Sequence, residues 1–351
     1  MRNVVHVVGT GTIGEPLIGL LVDHRDAFGI DEVTFHKRTP TVEERAKVAD
    51  LVRRGAILAV EPERRADFEA LGLKPTLDGA EALARASVVI DSTPAGNQNK
   101  AACYGALDGP LGFMAQGSEY GFGKMYARGI NDGALVRGED RFLHVVSCNT
   151  HNVSVLVRAL AFDGETPHLV DGRFVCMRRA NDISQDGSFV PSPTVGKHDN
   201  PRFGTHHARD AHGVFATLGH DLPLWSSAIV LNSQYMHVLH FSLTLDHDIT
   251  PEEAVARLAA NPRVALTRKR SANQVFSFGR DHGYFGRILS QTVVPTQTIG
   301  VRDGRTVVGF CFTPQDGNAL LSSVAATLWY LYPEGFEERI DALRPYLFRE
   351  V

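Results

Sequence analysis

The stretch NVVHVVGTGTIGEPLIGLLVDH, residues 3–24, leaves the chain few ways to begin. Val4, Val5, Val7 and Val8 read as a buried strand, Gly9-Thr10-Gly11-Thr12-Ile13-Gly14 as a turn, and residues 15–24 as an apolar-periodic helix. With glycines at this spacing, the first makes the tight turn and the second lets backbone approach a pyrophosphate. The third packs helix on strand, and the helix N-terminus offers partial positive charge to an anion. The expectation is a nucleotide-binding, doubly wound fold.

A second strand, EVTFHKR (residues 32–38), ends in Lys37 and Arg38 where a cofactor with a free ribose 2′-hydroxyl usually meets an acid. Those cations suit a 2′-phosphate, so NADP, or NADP and NAD both, is expected; a solvated basic turn is the alternative. TPTVEERAKVADLVRRGA reads as a helix capped by Thr41 and closed near Gly55. SVVIDSTPAGNQNK is a buried strand whose turn, with Thr93 and Pro94, falls on the same carboxyl edge as the glycine turn. FMAQGSE and RFLHVVSCN add two more strands. Alternation of strands and helices up to about residue 147 gives a parallel sheet.

Beyond that point the runs lengthen. RFVCMRRANDISQ, MHVLHFSLTLDHD and TVVGFCFTPQ read as strands of antiparallel type, and RDGRT carries a hairpin signal. TPEEAVARLAANP is a helix capped by Thr250 with Pro251 first, and GNALLSSVAATLWYLYP is a long apolar helix. The fold class expected is α/β: an N-terminal doubly wound (Rossmann) nucleotide-binding domain plus an α+β catalytic domain with a mostly antiparallel sheet. The chain's 351 residues suit two domains. A net charge of −4 points to neither a nucleic-acid nor a membrane partner. The four cysteines show no CxxC and no framework spacing, which fits reduced thiols in a cytoplasm. No run has the form of a signal peptide or a membrane span.

The segment RFLHVVSCNT poses the chemical question. Its apolar strand stops at Ser147-Cys148-Asn149-Thr150, so Cys148 is either a packed core thiol or a nucleophile presented where the strand ends. Packing is the better reading for Cys103, Cys176 and Cys311, which sit among apolar or strand-like neighbours. The polar context of Cys148 favours the nucleophile.

Seven segments, GTGTIG, STPAGNQNK, AQGSE, VVSCNT, RRANDISQ, THHARDA and MHVLHF, occur in an order that resembles type II (archaeal-type) phosphorylating glyceraldehyde-3-phosphate dehydrogenases. The resemblance spans most of the chain and is weakest over residues 260–308. It implies oxidation of glyceraldehyde 3-phosphate through a thiohemiacetal on cysteine, hydride transfer to NAD(P), and release of the acyl group to inorganic phosphate as 1,3-bisphosphoglycerate. By that resemblance Cys148 is the nucleophile, His237 the general base, and Arg179 acts near cofactor and phosphates. Ser147, Asn149 and Thr150 would line the substrate pocket, and His206 and His207, with Arg178, would hold phosphate. Gly9, Gly11, Thr12, Ile13, Gly14, Lys37, Arg38, Thr93, Pro94, Gly117, Ser118, Gln315 and Asn318 would form the dinucleotide site. The family's final helix returns to the first domain, so residues 1–147 plus 318–351 and residues 148–317 are the expected domains. A cytoplasmic homotetramer is implied as well.

The residues suit that chemistry. A thiol attacks as thiolate, which a histidine or positive potential promotes, and a histidine can remove the thiohemiacetal proton. His237 and His240 are three apart on a strand-like run, so only one can face a given site, and motif register selects His237. The pair His206–His207 has no Cys or carboxylate at ligand spacing, so no metal is expected there. Two departures from the family pattern stand out: His151 replaces a threonine after Asn149-Thr150, and the basic turn is HKRT. They put the acceptor, phosphate or water, and the aldehyde itself in question. The rival readings are a dehydrogenase for another phosphorylated or acidic aldehyde, and a nucleotide-sensing or scaffold protein on the same fold.

Overall fold

The computed structural model describes residues 2–182, 187, 189–314 and 316–351. The chain divides into two compact units. The first comprises Met1–Lys124, Val136–Val145 and Ser322–Arg344; the second comprises Met125–Leu135, Val146–Leu321 and Pro345–Val351.

The first sheet contains β1 (Val4–Val8), β2 (Glu32–His36), β3 (Ile57–Val60), β4 (Leu77–Asp78), β5 (Val88–Asp91), β6 (Gly112–Gly117), β7 (Lys124–Tyr126) and β8 (Phe142–Val146), in the order 4-3-2-1-5-6-8-7. β1 pairs in parallel with β2 and β5, and parallel pairing continues through β2–β3, β3–β4 and β5–β6. The order reverses between β1 and β5, the place where doubly wound sheets bind ligands. The helix Gly14–Asp23 buries Leu17, Ile18, Leu20 and Leu21 completely, each worth about 1.5–3 kcal/mol of transfer. Thr41 does not cap the helix that follows β2. That helix begins at Arg45 after a turn, with Glu44 at the N-cap and no side-chain bond there. Gly55 closes it in the left-handed region at φ 110°. The short strands β3 and β4 were not anticipated.

The second unit holds two short strands, β9 (Phe162–Asp163) and β10 (Thr166–Pro167), and a mixed sheet. The sheet is built from β11 (Leu169–Arg178), β12 (Thr194–Val195), β13 (Leu224–Val230), β14 (Val238–Leu245), β15 (Val264–Thr267), β16 (Thr292–Pro295), β17 (Gly300–Arg302) and β18 (Thr306–Phe312). β11–β14, β14–β18, β12–β13, β16–β18 and β17–β18 are antiparallel, whereas β11–β13 and β15–β16 are parallel. The β17–β18 hairpin turns through Asp303 and Gly304 at φ 51° and 73°, as the Asp-Gly pair predicts. β14 alternates strictly: Leu239, Phe241, Leu243 and Leu245 are buried, and the residues between them are half-buried. Val153, Leu156, Val157 and Leu160 share one core cluster with that buried face.

Those four belong to a helix, Cys148–Leu160, which the sequence pattern did not disclose. Cys148 is therefore the first residue of a helix as well as two residues past the end of a strand. Among the described residues, no helix is long and apolar enough to cross a membrane.

Candidate active site

In the first unit, register lines up the carboxyl ends of four strands: Val8 pairs with both His36 and Asp91, and Asp91 pairs with Ala115. The segments leaving that edge are the glycine turn, Lys37-Arg38, Ser92-Thr93-Pro94 and Gly117-Ser118. The Gly9 N–H donates to His36 O at 3.1 Å and the Ser92 N–H to Val8 O at 2.9 Å, tying these exits together.

The glycines divide the labour. Gly9 sits at φ 93°, and a Cβ there would come within 2.9 Å of Thr93 Cγ2. A Cβ on Gly14 would lie 2.2 Å from Gly9 O, so helix and strand touch at that point. A Cβ on Gly11 would meet nothing within 4 Å. The turn therefore has open space at its middle glycine, beside a helix N-terminus that no side chain caps. That fits a pyrophosphate. Thr93 donates to Asp91 Oδ1 from N (2.9 Å) and Oγ1 (2.6 Å), and buried Asp91 also accepts from Asn99 Nδ2 and Tyr104 Oη. At the end of β2, Lys37 donates to Glu44, as does Lys47, which also donates to Thr10 O at 3.0 Å.

The second unit gathers the remaining described residues. Ser147 is the N-cap of the helix Cys148–Leu160: its Oγ accepts from Thr150 N at 3.4 Å and lies 2.9 Å from Thr150 Oγ1. Asn149, on the first turn, accepts from Thr313 Oγ1 at 3.1 Å and faces His207 Nε2 across 3.4 Å through Nδ2. His207 Nδ1 lies 3.1 Å from Thr205 Oγ1, which lies 2.6 Å from Ser226 Oγ. The Thr313 N–H donates to His237 O at 3.0 Å, and Asn152 donates to Thr313 Oγ1. A continuous chain of bonds thus links Asn149, His207 and the backbone of His237.

Arg179 completes the group. It is buried, whereas Arg178 is exposed. Its backbone N–H donates to His237 Nδ1 at 3.0 Å, and its guanidinium binds Asp182, reaches Tyr235 O at 3.3 Å and stands 4.0 Å from Asp316. Tyr235 and Asp316 both have positive φ, 79° and 57°, and non-glycine residues hold that conformation only where the surroundings enforce it.

Burial dominates the electrostatics. It pushes the Cys148 thiol up to about 11, against the pull of Arg179 and with help from Asp316 and Asp182. Burial, then Arg179 and Arg178, lowers His237 to about 3. Burial, then Arg178 and Arg209, lowers His206 to about 4, and His207 is held well below its ordinary value. At neutral pH the thiol is protonated and all three rings are neutral. Sequence reasoning expected an activated thiol, and desolvation wins instead.

Other expectations are changed or left outside. Asn318, expected at the cofactor, is fully buried; its Nδ2 donates to Cys148 O at 3.0 Å and to Gln291 O at 3.1 Å, so it positions the first residue of the helix. His151 is fully buried, its Nδ1 3.0 Å from Ser147 O. Gln315 lies outside the described residues. Thr313, Asn152, Tyr235, Asp182 and Asp316 were missed; only Asp182, inside the RRANDISQ segment, carried a sequence signal. A cavity of about 550 Å³ between Arg173, Arg202, Asp221 and Trp225 includes none of the residues around Cys148.

No protein-family model matches the chain. Curated relatives do. The glyceraldehyde-3-phosphate dehydrogenase of Metallosphaera sedula is 27% identical over 313 residues, 85% of this chain and 84% of that protein. The enzyme of the same name from Methanobacterium bryantii is 28% identical over 316 residues, 86% of each chain. That of Pyrobaculum neutrophilum is 26% identical over 292 residues, 80% of this chain and 78% of its own. The glycine turn and the Cys148 cluster thus lie on a chain that is similar, over 80–86% of its length, to proteins named glyceraldehyde-3-phosphate dehydrogenase.

Proposed function

We propose that the chain is an NAD(P)-dependent dehydrogenase that oxidises glyceraldehyde 3-phosphate and passes the acyl group to inorganic phosphate, giving 1,3-bisphosphoglycerate. The observation that carries this reading is the Cys148 cluster, a cysteine at the first position of its helix whose carbonyl accepts from Asn318 and whose thiol is neighboured by Arg179, in a chain whose relatives bear that enzyme's name.

In this reading the Cys148 thiol proton is lost to bulk solvent, Sγ bonds to the aldehyde carbon as the carbonyl π bond opens, and the electron pair gathers on the carbonyl oxygen until the C=O bond re-forms as hydride leaves. The nicotinamide supplies one thing, an acceptor for the hydride leaving that carbon. The product is a thioester on Cys148. A phosphate oxygen then attacks the acyl carbon, the C–S bond breaks, and sulfur leaves as thiolate. Helix N-terminal amides and Arg179 favour that thiolate. His206 and His207 serve as neutral hydrogen-bonding groups for phosphate, and Arg178 supplies the full positive charge.

His237 was expected to be the general base. Its Nδ1 lone pair is taken by the Arg179 N–H, so the neutral ring carries its proton on Nε2 and donates from there. In this tautomer it stabilises the developing oxyanion; to accept a proton at Nε2 the ring would have to release Arg179. Gly9, Gly11, Thr12, Ile13 and Gly14 would hold the pyrophosphate, with Thr93, Pro94, Gly117 and Ser118 along the same edge. Lys37 and Arg38 would meet a 2′-phosphate, so NADP serves at least as well as NAD.

The test is an assay of glyceraldehyde 3-phosphate with each cofactor, with and without phosphate, monitoring reduced nicotinamide. Sustained turnover that needs phosphate is expected, with a single stoichiometric burst when phosphate is omitted. Steady turnover without phosphate would make water the acceptor, and turnover only with another aldehyde would replace the substrate.

A further inference from the structure

At the far end of β11 from Arg179, three side chains that the reaction does not use converge. His168 precedes the strand, and Asp246 and His247 come directly after β14. One ligand atom from each lies within 4.8 Å of the other two. His168 Nδ1 is 3.1 Å from both Asp246 oxygens, and His247 Nδ1 is 2.9 Å from Asp246 Oδ1. The rings stand edge to face, centroids 5.1 Å apart, so both present nitrogen to one carboxylate.

We propose that His168, Asp246 and His247 form a binding site for a divalent transition-metal ion of the zinc class. Bonds of about 2.0–2.1 Å to tetrahedrally placed donors put those donors about 3.3 Å apart. The two histidine–carboxylate separations, 3.1 and 2.9 Å, need to open by only a few tenths of an ångström, and the two imidazole donors lie within 4.8 Å of each other. Two imidazoles and one carboxylate are a zinc-type donor set that leaves a position for water. The site is also backed by its surroundings. His168 Nε2, the nitrogen away from Asp246, points to Asp163 Oδ2 at 3.6 Å, the carboxylate–histidine arrangement that orients ligating imidazoles. Arg257 holds Asp163 from the other side at 3.1 Å.

The backbone fixes the spacing. The Asp246 N–H donates to His168 O at 3.0 Å, and the His168 N–H donates to Ala161 O at 2.8 Å. The ion would tie the ends of β9, β11 and β14 together. The ten residues of β11 put it roughly 30 Å from Arg179, so its role is structural and separate from the chemistry.

The experiment is calorimetric titration of zinc chloride into chelator-treated full-length protein, comparing wild type with Asp246→Asn and His247→Ala. Cys148 contributes equally to all three, so the wild type should take up one equivalent more, and each variant should bind that equivalent about 100-fold more weakly or not at all. Zinc should raise the Tm of the wild type and not of the variants. In a Cys148→Ser background, cobalt(II) should give the absorption of a nitrogen- and oxygen-ligated tetrahedral ion. Asp246→Asn is isosteric at a half-exposed position, and an unchanged near-ultraviolet circular dichroism spectrum checks its fold. Equal zinc uptake by wild type and Asp246→Asn would overturn the proposal.

Discussion

The backbone N–H of Arg179 donates to Nδ1 of His237 at 3.0 Å, and this one bond decides which end of the imidazole carries the proton. A ring held by a peptide N–H on one side is a donor on the other. With its pKa lowered to about 3, it stays in that form at every physiological pH.

His237→Asn should accordingly lower kcat by about 100- to 1,000-fold, the usual worth of one oxyanion donor, with cofactor affinity nearly unchanged. His240→Asn is the control: that half-buried ring stands edge-on to Phe310, centroids 5.0 Å apart. The pH profile of the wild type should lack a limb near 6.5 that disappears in His237→Asn. Such a limb, or a crippled His240 variant, would sink the assignment.

The thiol's reactivity should track its charged neighbours. With a pKa pushed up to about 11, Cys148 in the cofactor-free protein should be alkylated by iodoacetamide at a rate rising about tenfold per pH unit between pH 7 and 10. Asp316→Asn removes a repelling carboxylate and should speed alkylation, while Arg179→Met removes the stabilising cation and should slow it. A plateau already reached at neutral pH would show that a neighbour overrides burial.

Gly11 and Gly14 separate ligand from fold. Gly11→Ala places a methyl group in open space and should leave Tm unchanged while raising the Kd for the dinucleotide. Gly14→Ala drives a methyl group to within 2.2 Å of Gly9 O and should lower Tm with or without cofactor. Unchanged cofactor affinity in a folded Gly11→Ala protein would move the pyrophosphate elsewhere.

Acid should unfold the protein through its buried histidines. Burial, then the charge of His36, lowers His6 from 6.5 to about 3. The unfolded chain therefore takes up a proton that the folded one refuses. The contribution is whole above pH 6.5 and shrinks as pH falls toward 3, by about 3 kcal/mol at pH 4.5. Denaturant midpoints measured from pH 7 to 4.5 should fall in the wild type and fall less steeply in His6→Leu. Parallel slopes would remove His6 from the explanation.

Much of the fold was legible because its signals are local. The strand–turn–helix at residues 4–23, the capping box of Thr250 and Glu253 and the Asp303-Gly304 hairpin each depend on residues close together in sequence. The helix after Cys148 is not legible in the sequence although Ser147 caps it, because the apolar run of β8 leads straight into its first turn and masks the change of period. Thr41 misled because a helix can start after an extra turn whose residues look like a cap. The site was legible only where a motif carried it. Thr313 meets Asn149 across 164 residues of sequence, and Asp316 approaches Arg179 from another loop, so neither could be found by spacing. The pair His168 and Asp246 is hidden in the same way, 78 residues apart.

Tyr235 and Asp316 touch the same guanidinium from backbones that glycine would occupy more comfortably. A directed-evolution campaign scored on heat tolerance alone would be drawn to Tyr235→Gly and Asp316→Gly, since each relieves on the order of 1 kcal/mol of backbone strain. Both loosen the frame that orients Arg179, and with it the proton on His237. Selection on this scaffold therefore has to be run for turnover and heat tolerance together, or the hardiest survivors will be inert.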